Sequence, residues 1–205
     1  KNIAREMFNL PKNVPLLLFG AEKGTFNHRK GFDLLLESLR ILSNGSEIDN
    51  LELVIFGQSA PEKSINLDYP VHYMGHLHDD LSLRILYSSA DLKVVPSRLE
   101  AYGLTAAEAQ ACGVPVVAFN NSGLTDIVEH LVTGYLAKSF DITDLSEGIK
   151  WVLSEEMYEE LGKNARKKIV EECCTKEVAK QYLKIYKKDA QIVSNLKLYR
   201  NFLKE

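Results

Sequence analysis

The chain has 205 residues, 45% of them apolar, and a formal net charge of -3. That length and apolar content suffice for one domain with a core, and the charge balance gives no case for a nucleic-acid partner. No apolar run approaches the ~20 residues that span a bilayer, no signal peptide stands at the start, and three cysteines, two of them adjacent at Cys173 and Cys174, suit a reduced, cytosolic protein.

The chain opens on Lys1 rather than Met and reads as a piece of something longer. Ile3, Ala4, Met7 and Phe8 have helical spacing, ended by Pro11. Leu16 to Gly20 is the first buried strand. The loop from Ala21 to Lys30 holds Lys23, His28, Arg29 and Lys30, and Gly31 opens a helix with Phe32, Leu35, Leu36, Leu39 and Leu42 on its apolar side. Asn44-Gly45 stops that helix. A strand ending in Gly, then basic residues, then a helix start is a place for phosphate, although a solvated basic loop is the plainer reading of the residues alone. Leu53 to Gly57 is the second strand, and Gln58 to Tyr69 a polar loop. Val71 to His76 alternates into a third strand, with Gly75 placed for a close backbone approach. Asp79 or Asp80 caps a helix from Leu81 to Ser89. His72, His76 and His78 have a spacing that could bind a metal, but no carboxylate or cysteine is obliged to complete the set, and they read as polar strand-end residues.

The organising stretch is Val94 to Phe119. An apolar strand ends at Pro96, a loop carries Glu100, and an Ala-rich helix opens at Gly103 and Leu104. Gly113 is placed for a left-handed C-cap, and Val116 to Phe119 is a fully buried strand of the parallel kind. Such a unit leaves a helix N-terminus open at the carboxyl edge of a sheet, where N–H groups and the helix dipole converge on an anion. Two carboxylates bracket this opening. Glu108, in the second helical turn, points back toward it. Neither carboxylate suits phosphate, whereas both suit pairs of sugar hydroxyls: Glu108 for a ribose, Glu100 for a second sugar. Spacing alone equally allows Glu108 to be a solvated helix residue and Glu100 a loop charge.

Beyond Asn120 to Gly123, a turn cluster, a short helix runs from Leu124 to His130, and Tyr135 to Ala137 is a short strand. Asp141 or Thr143 caps a helix to Leu153, and Ser154 caps another toward Cys173. From Thr175 to Lys204 the chain is helical and basic, with Val178, Tyr182, Ile185 and Tyr186 in one stripe and Ile192, Leu196, Leu198 and Tyr199 in another. Its lysines permit contact with an anionic membrane surface, though a solvated face is the commoner explanation. Alternating strands and helices predict an α/β fold, a Rossmann-like three-layer parallel sheet with helices on both faces.

Glu100-x7-Glu108 followed by Ala-Gln-Ala-Cys-Gly-Val-Pro-Val-Val-Ala resembles the E-x7-E signature of retaining GT-B glycosyltransferases of the family-4 group. The resemblance continues through Ser122-Gly123-Leu124, Ile127-Val128-Glu129 and Thr133 to Leu136, and covers nearly the whole chain. It implies the C-terminal, donor-binding half of a GT-B enzyme, whose N-terminal acceptor domain lies outside this chain. It places the ribose on Glu108, the donor sugar on Glu100 and the donor diphosphate on Lys30 of Arg29-Lys30-Gly31, beside Gly20 and the amides of Gly103, Leu104 and Thr105. Many family members carry an Arg after the strand-ending Gly. Ala21 stands there in this chain, so Lys23 or Arg29 is expected to supply the second cation. His76 and Leu77 become candidates for flanking the base. The implied reaction moves a sugar from a nucleotide-diphosphate sugar to an acceptor hydroxyl of a glycan, glycolipid or small glycoside, with retention and with no cofactor or metal. An epimerase of the same fold and a non-catalytic nucleotide-binding module are the alternatives.

Overall fold

In the computed structural model, which describes residues 1–20, 25–45, 48, 50–62 and 65–202, six parallel strands form one sheet. Their order is β3-β2-β1-β4-β5-β6, with β1 at Leu16–Gly20, β2 at Glu52–Phe56, β3 at Val71–Tyr73, β4 at Leu92–Val95, β5 at Val116–Phe119 and β6 at Gly134–Ala137. The central strands are apolar on both faces because helices cover both faces. Alternate residues Leu17, Phe19, Leu53, Ile55, Leu92, Val94, Val117 and Phe119 join one core cluster. That cluster includes Phe32, Leu35, Leu39 and Leu42 of α2 (Phe32–Asn44) and Leu145, Ile149 and Val152 of α6 (Ile142–Leu153). The opposite face meets α3 (Asp80–Ser89) and α4 (Leu104–Ala111), which pack side by side, and α1 (Asn2–Met7) lies against α3. The Rossmann-like three-layer architecture is as the sequence predicts.

The strand order reverses between β1 and β4, which are direct neighbours with Leu17 opposite Leu92. Chain leaves this point in opposite directions, so the loops after β1 and β4 face each other at the carboxyl edge.

Several boundaries differ from the sequence expectations. α1 exposes Ile3 and Met7 and buries Ala4 and Arg5 instead. The Arg5 guanidinium reaches Asp91 at 2.5 Å and the carbonyls of Ser89, Pro11, Lys12 and Val14, so the helix is held by polar contacts where periodicity suggests an apolar stripe. β3 stops at Tyr73, and Gly75 makes only an isolated antiparallel bridge with Gln58. A side chain at Gly75 would meet nothing within 4 Å; the glycine serves a positive φ of 65°, not a close approach. The helix α5 ends at Ile127 (Leu124–Ile127) rather than His130, because the Thr133 hydroxyl takes the Glu129 amide and the Gly134 carbonyl takes that of Leu131. Asp79 and Asp141 are the caps of α3 and α6. The Ser154 hydroxyl donates back to the Trp151 carbonyl, closing α6. Gly113 adopts the left-handed conformation after α4, at φ 76°.

The chain divides into two compact units, Lys1–Lys167 and Lys168–Glu205. The first holds the sheet, and α7 (Glu155–Lys168) ends at its boundary. The second begins with a π-helical stretch, Ile169–Cys173, and continues as α8, Thr175–Phe202, in which the rings of Tyr182 and Tyr186 lie 6.1 Å apart. The side chains of the second apolar stripe, Ile192 to Tyr199, lie outside the described ones. Among the described residues, no helix is long and apolar enough to cross a membrane.

Arg5→Ala would take the guanidinium from four carbonyls and leave the Asp91 carboxylate with the Lys1 ammonium and the Leu16 amide, each at 2.6 Å. Removing one partner of a buried ion pair costs about 3–5 kcal/mol, and denaturant unfolding should show a lower midpoint with an unchanged slope.

Candidate donor-binding site

Of the residues expected to form a site, Lys30 and Glu100 meet at the reversal point. Lys30 ends a single 3-10 turn (His28–Lys30), which Asn27 caps by accepting the Arg29 amide. Gly31 follows in the left-handed region at φ 68°, and a Cβ there would sit 1.9 Å from the Pro96 carbonyl oxygen. Only glycine allows the chain to turn into α2 while lying against the β4 exit. Lys30 is thereby aimed across the edge: its Nζ donates to Glu100 Oε1 at 2.5 Å, and Ser97 Oγ donates to the same oxygen at 2.9 Å. Both charged side chains are mostly shielded, at 17% and 12% exposure.

Three loops hold this pair. The Arg98 guanidinium grips both oxygens of Asp33, at 2.8 and 2.6 Å, and the His28 carbonyl at 2.7 Å. The Arg98 amide donates to the Arg29 carbonyl at 2.8 Å. The Glu100 amide donates to Ser122 Oγ, and the Gly123 amide to the Glu100 carbonyl, both at 3.0 Å. Asn121 reaches the carbonyls of Ser97 and Arg98. The bidentate Arg98–Asp33 contact holds the Asp33 carboxyl below the usual carboxylate range.

Glu100 leads in three residues to Gly103, at φ 90°, where a Cβ would press Leu124 at 3.0 Å. No side chain caps α4. The amides of Ala106 and Ala107 turn back to the Gly103 carbonyl, and those of Leu104 and Thr105 open the first turn. An uncapped helix start presents donors and the positive dipole end to whatever lies before it. Glu108, exposed one turn on, accepts from Tyr87 of α3 at 2.8 Å. It lines a cavity of about 660 Å³ between α3 and α4, with Asp80, Arg84, Tyr87, Cys112 and Arg166 also in its wall. Burial, then the Glu108 charge, push the Tyr87 phenol upward, so it stays a donor.

Gly20 ends β1 where a Cβ would collide with the Phe56 ring at 2.1 Å, and its carbonyl faces the Lys93 ammonium at 3.4 Å. Arg29 is exposed beside Lys30. Lys23 and Ala21 lie outside the described residues. His76 and Leu77 follow Gly75 at the β3 edge, His76 exposed and stacked on His78 with centroids 6.2 Å apart. His72 turns away to Glu52 of the neighbouring strand, at 2.5 Å, so the three histidines do not converge. Among the described residues no three His, Cys, Asp or Glu side chains are grouped as a metal would need.

Sequence alone gives no reason to place Arg98, Asp33 or Tyr87 at the site; Ser122 enters only through the Ser122-Gly123-Leu124 stretch of the resemblance, and Lys93 only as a charge inside an apolar strand. Lys93 is fully buried in β4, and desolvation pulls its ammonium down from the ordinary 10.5 to about 7.

With this geometry in place, residues 2–168 match the family described as Glycosyl transferases group 1. The chain belongs to that family. It is 31% identical over 173 residues to an uncharacterised glycosyltransferase of Methanocaldococcus jannaschii, covering 80% of this chain and 43% of that protein. It is 36% identical over 147 residues to a D-inositol 3-phosphate glycosyltransferase of Xylanimonas cellulosilytica, covering 67% and 33%. Sucrose-phosphate synthase from Thermosynechococcus elongatus superposes with a TM-score of 0.74 at 29% identity, over 92% of this chain and 49% of that one. An Anabaena protein solved with UDP-glucose shares the fold, with a TM-score of 0.73 at 18% identity over 91% and 52%. The chain therefore spans less than half of these curated relatives and about half of these solved GT-B chains.

The Lys93 burial has a pH signature. Below about pH 7 the folded and unfolded chains both hold this proton, and its desolvation cost is constant. Between about 7 and 10.5 the unfolded chain holds more, so stability rises with pH. Lys93→Met should flatten that rise and add about 1–4 kcal/mol at neutral pH, measured by denaturant unfolding across the range.

Proposed function

We propose that this chain is the donor-binding half of a retaining glycosyltransferase, which moves a sugar from a nucleotide-diphosphate sugar to an acceptor hydroxyl. The observation that carries this reading is the Lys30–Glu100 pair, locked beside the uncapped start of α4. An ammonium has three donors, of which Glu100 takes one. The remainder would serve a diphosphate lying between Lys30 and the amides of Leu104 and Thr105.

The chemistry follows from charge. Breaking the bond between the sugar and the diphosphate leaves negative charge on the leaving oxygens. Cations and amide dipoles fixed in advance stabilise that charge without reorganising. Lys30, with Arg29 near it, serves one side and the α4 amides the other. Glu100 acts twice, holding Lys30 in line and offering its carboxylate to hydroxyls of the donor sugar. Glu108, held by Tyr87 in the wall of the cavity, accepts both ribose hydroxyls. A diphosphate is a good leaving group, so neither carboxyl is needed as the proton donor that a glycosidase uses. The acceptor, a glycan, a glycolipid or a small glycoside, belongs to the other half of a two-domain cleft. The names of the relatives, an inositol phosphate glycosyltransferase and a sucrose-phosphate synthase among them, support the reaction class.

Glu108→Gln exchanges a bidentate acceptor for an amide, and calorimetry with a nucleoside diphosphate should show binding weaker by about tenfold, or ~1.4 kcal/mol. Unchanged affinity would remove the ribose role. In the two-domain enzyme, Lys30→Ala should lower kcat by about a hundredfold, ~3 kcal/mol of barrier, with a much smaller change in KM. Wild-type turnover would take Lys30 out of the mechanism. The 205-residue chain by itself should bind nucleoside diphosphate weakly and transfer no labelled sugar.

A further inference from the structure

Lys93 stands outside the chemistry derived above. It is the charged residue of an otherwise apolar strand, Leu92–Val95, and is 0% exposed. It lies on the face of the sheet opposite the α2–α6 core, the face toward α3 and α4. Its Nζ stands 3.4 Å from the Gly20 carbonyl at the end of β1, 4.7 Å from the Phe56 ring centroid of β2 and 6.0 Å from that of Tyr87. Glu108 of α4 and Glu100 of the preceding loop draw its charge, and Lys30 of the loop after β1 opposes it. Packing alone does not require an ammonium here, since an apolar side chain of similar length would fill the space at lower cost. What the ammonium adds is a buried positive charge at the Gly20 strand end, felt by the Glu108 and Glu100 carboxylates.

We propose that Lys93 is a positioning residue of the donor site: its ammonium holds the Gly20 carbonyl and, through the Tyr87 ring, the Glu108 carboxylate, and supplies the buried positive charge against which a nucleoside diphosphate binds. The proposal rests on the donor-site reading above. Two rings cradle the charge, and cation–π contact strengthens where water is excluded. Tyr87 bonds Glu108 with the same side chain whose ring faces Lys93, so the state of the lysine reaches the ribose acceptor through one residue. Because burial has already weakened this ammonium, near neutral pH part of the population is neutral. An incoming polyanion favours the charged form, so binding should draw a proton from solvent onto the amine.

The test is calorimetric titration of the 205-residue chain with uridine and guanosine diphosphates. It is run in two buffers of different ionisation enthalpy, from about pH 7.5 to 9.5, where the terminal phosphate is fully ionised. Wild type should take up a proton, approaching one per nucleotide, and its affinity should fall with pH. Lys93→Met should take up none, bind about tenfold more weakly near pH 7.5 and meet the wild-type affinity at the alkaline end. Lys93→Arg keeps charge that does not titrate here, and should bind with neither uptake nor pH slope. Tyr87→Phe keeps the ring over Lys93 and loses the bond to Glu108, so affinity should drop while the uptake stays. Uptake and affinity unchanged in Lys93→Met would overturn the proposal and leave the donor reading standing; a change in stability alone would do the same. Failure of the wild-type chain to bind either diphosphate at any pH would remove both.

Discussion

One ion pair ties together the loops at the carboxyl edge of the sheet. Lys30 and Glu100 meet at 2.5 Å from loops that follow different strands, at the place where the sheet reverses direction. Neither side chain could hold that position by itself. A lysine has a long flexible stem whose ordering costs side-chain entropy, and an exposed pair would contribute little. Here the backbone has been fixed on both sides first. Gly31 presses on Pro96, and Arg98 binds the turn that carries Lys30 with a fork to Asp33 and two contacts to backbone carbonyls. The pair is the outcome of that bracing, which fixes where its two charges sit.

The division of labour between the faces of the sheet explains how such an edge is sustained. The face under α2 and α6 is filled with branched and aromatic side chains and needs no polar group. The other face carries the small residues, Gly20 among them, and leaves room for Phe56, Tyr87 and a buried lysine. Rigidity comes from one side and electrostatic character from the other. The α4 helix, made largely of alanine, sits close on this second face, which brings its open N-terminus down to the strand ends.

Much of the fold was legible because the central strands are largely apolar and several glycines mark conformations that other residues avoid. Gly31, Gly103 and Gly113 all have positive φ where a helix begins or ends. The candidate site was legible as a neighbourhood: loops after β1 and β4 must meet if the sheet is parallel and doubly wound. What could not be read was who holds whom. Arg98, Asp33 and Ser122 are ordinary loop and helix-start residues in sequence, and their roles depend on contacts across 65 and 22 positions. Arg5 misled for the opposite reason, since a charge on a short helix is expected outside, yet several carbonyls converge on it. Lys93 did leave a signal. A cation inside a strand that must be covered on both faces conflicts with its surroundings, and such conflicts gather at functional places.

The turn at 120–123 carries no charge, yet the Glu100 backbone hangs from it by a hydroxyl and an amide. Its residues therefore act as an adjustment screw. Exchanging Ser122 or crowding Gly123, which already lies against the Ala101 carbonyl, would tilt a carboxylate without altering its chemistry. A change confined to the neutral residues of this turn would thus move the Glu100 side chain while every acidic and basic group stayed as it was.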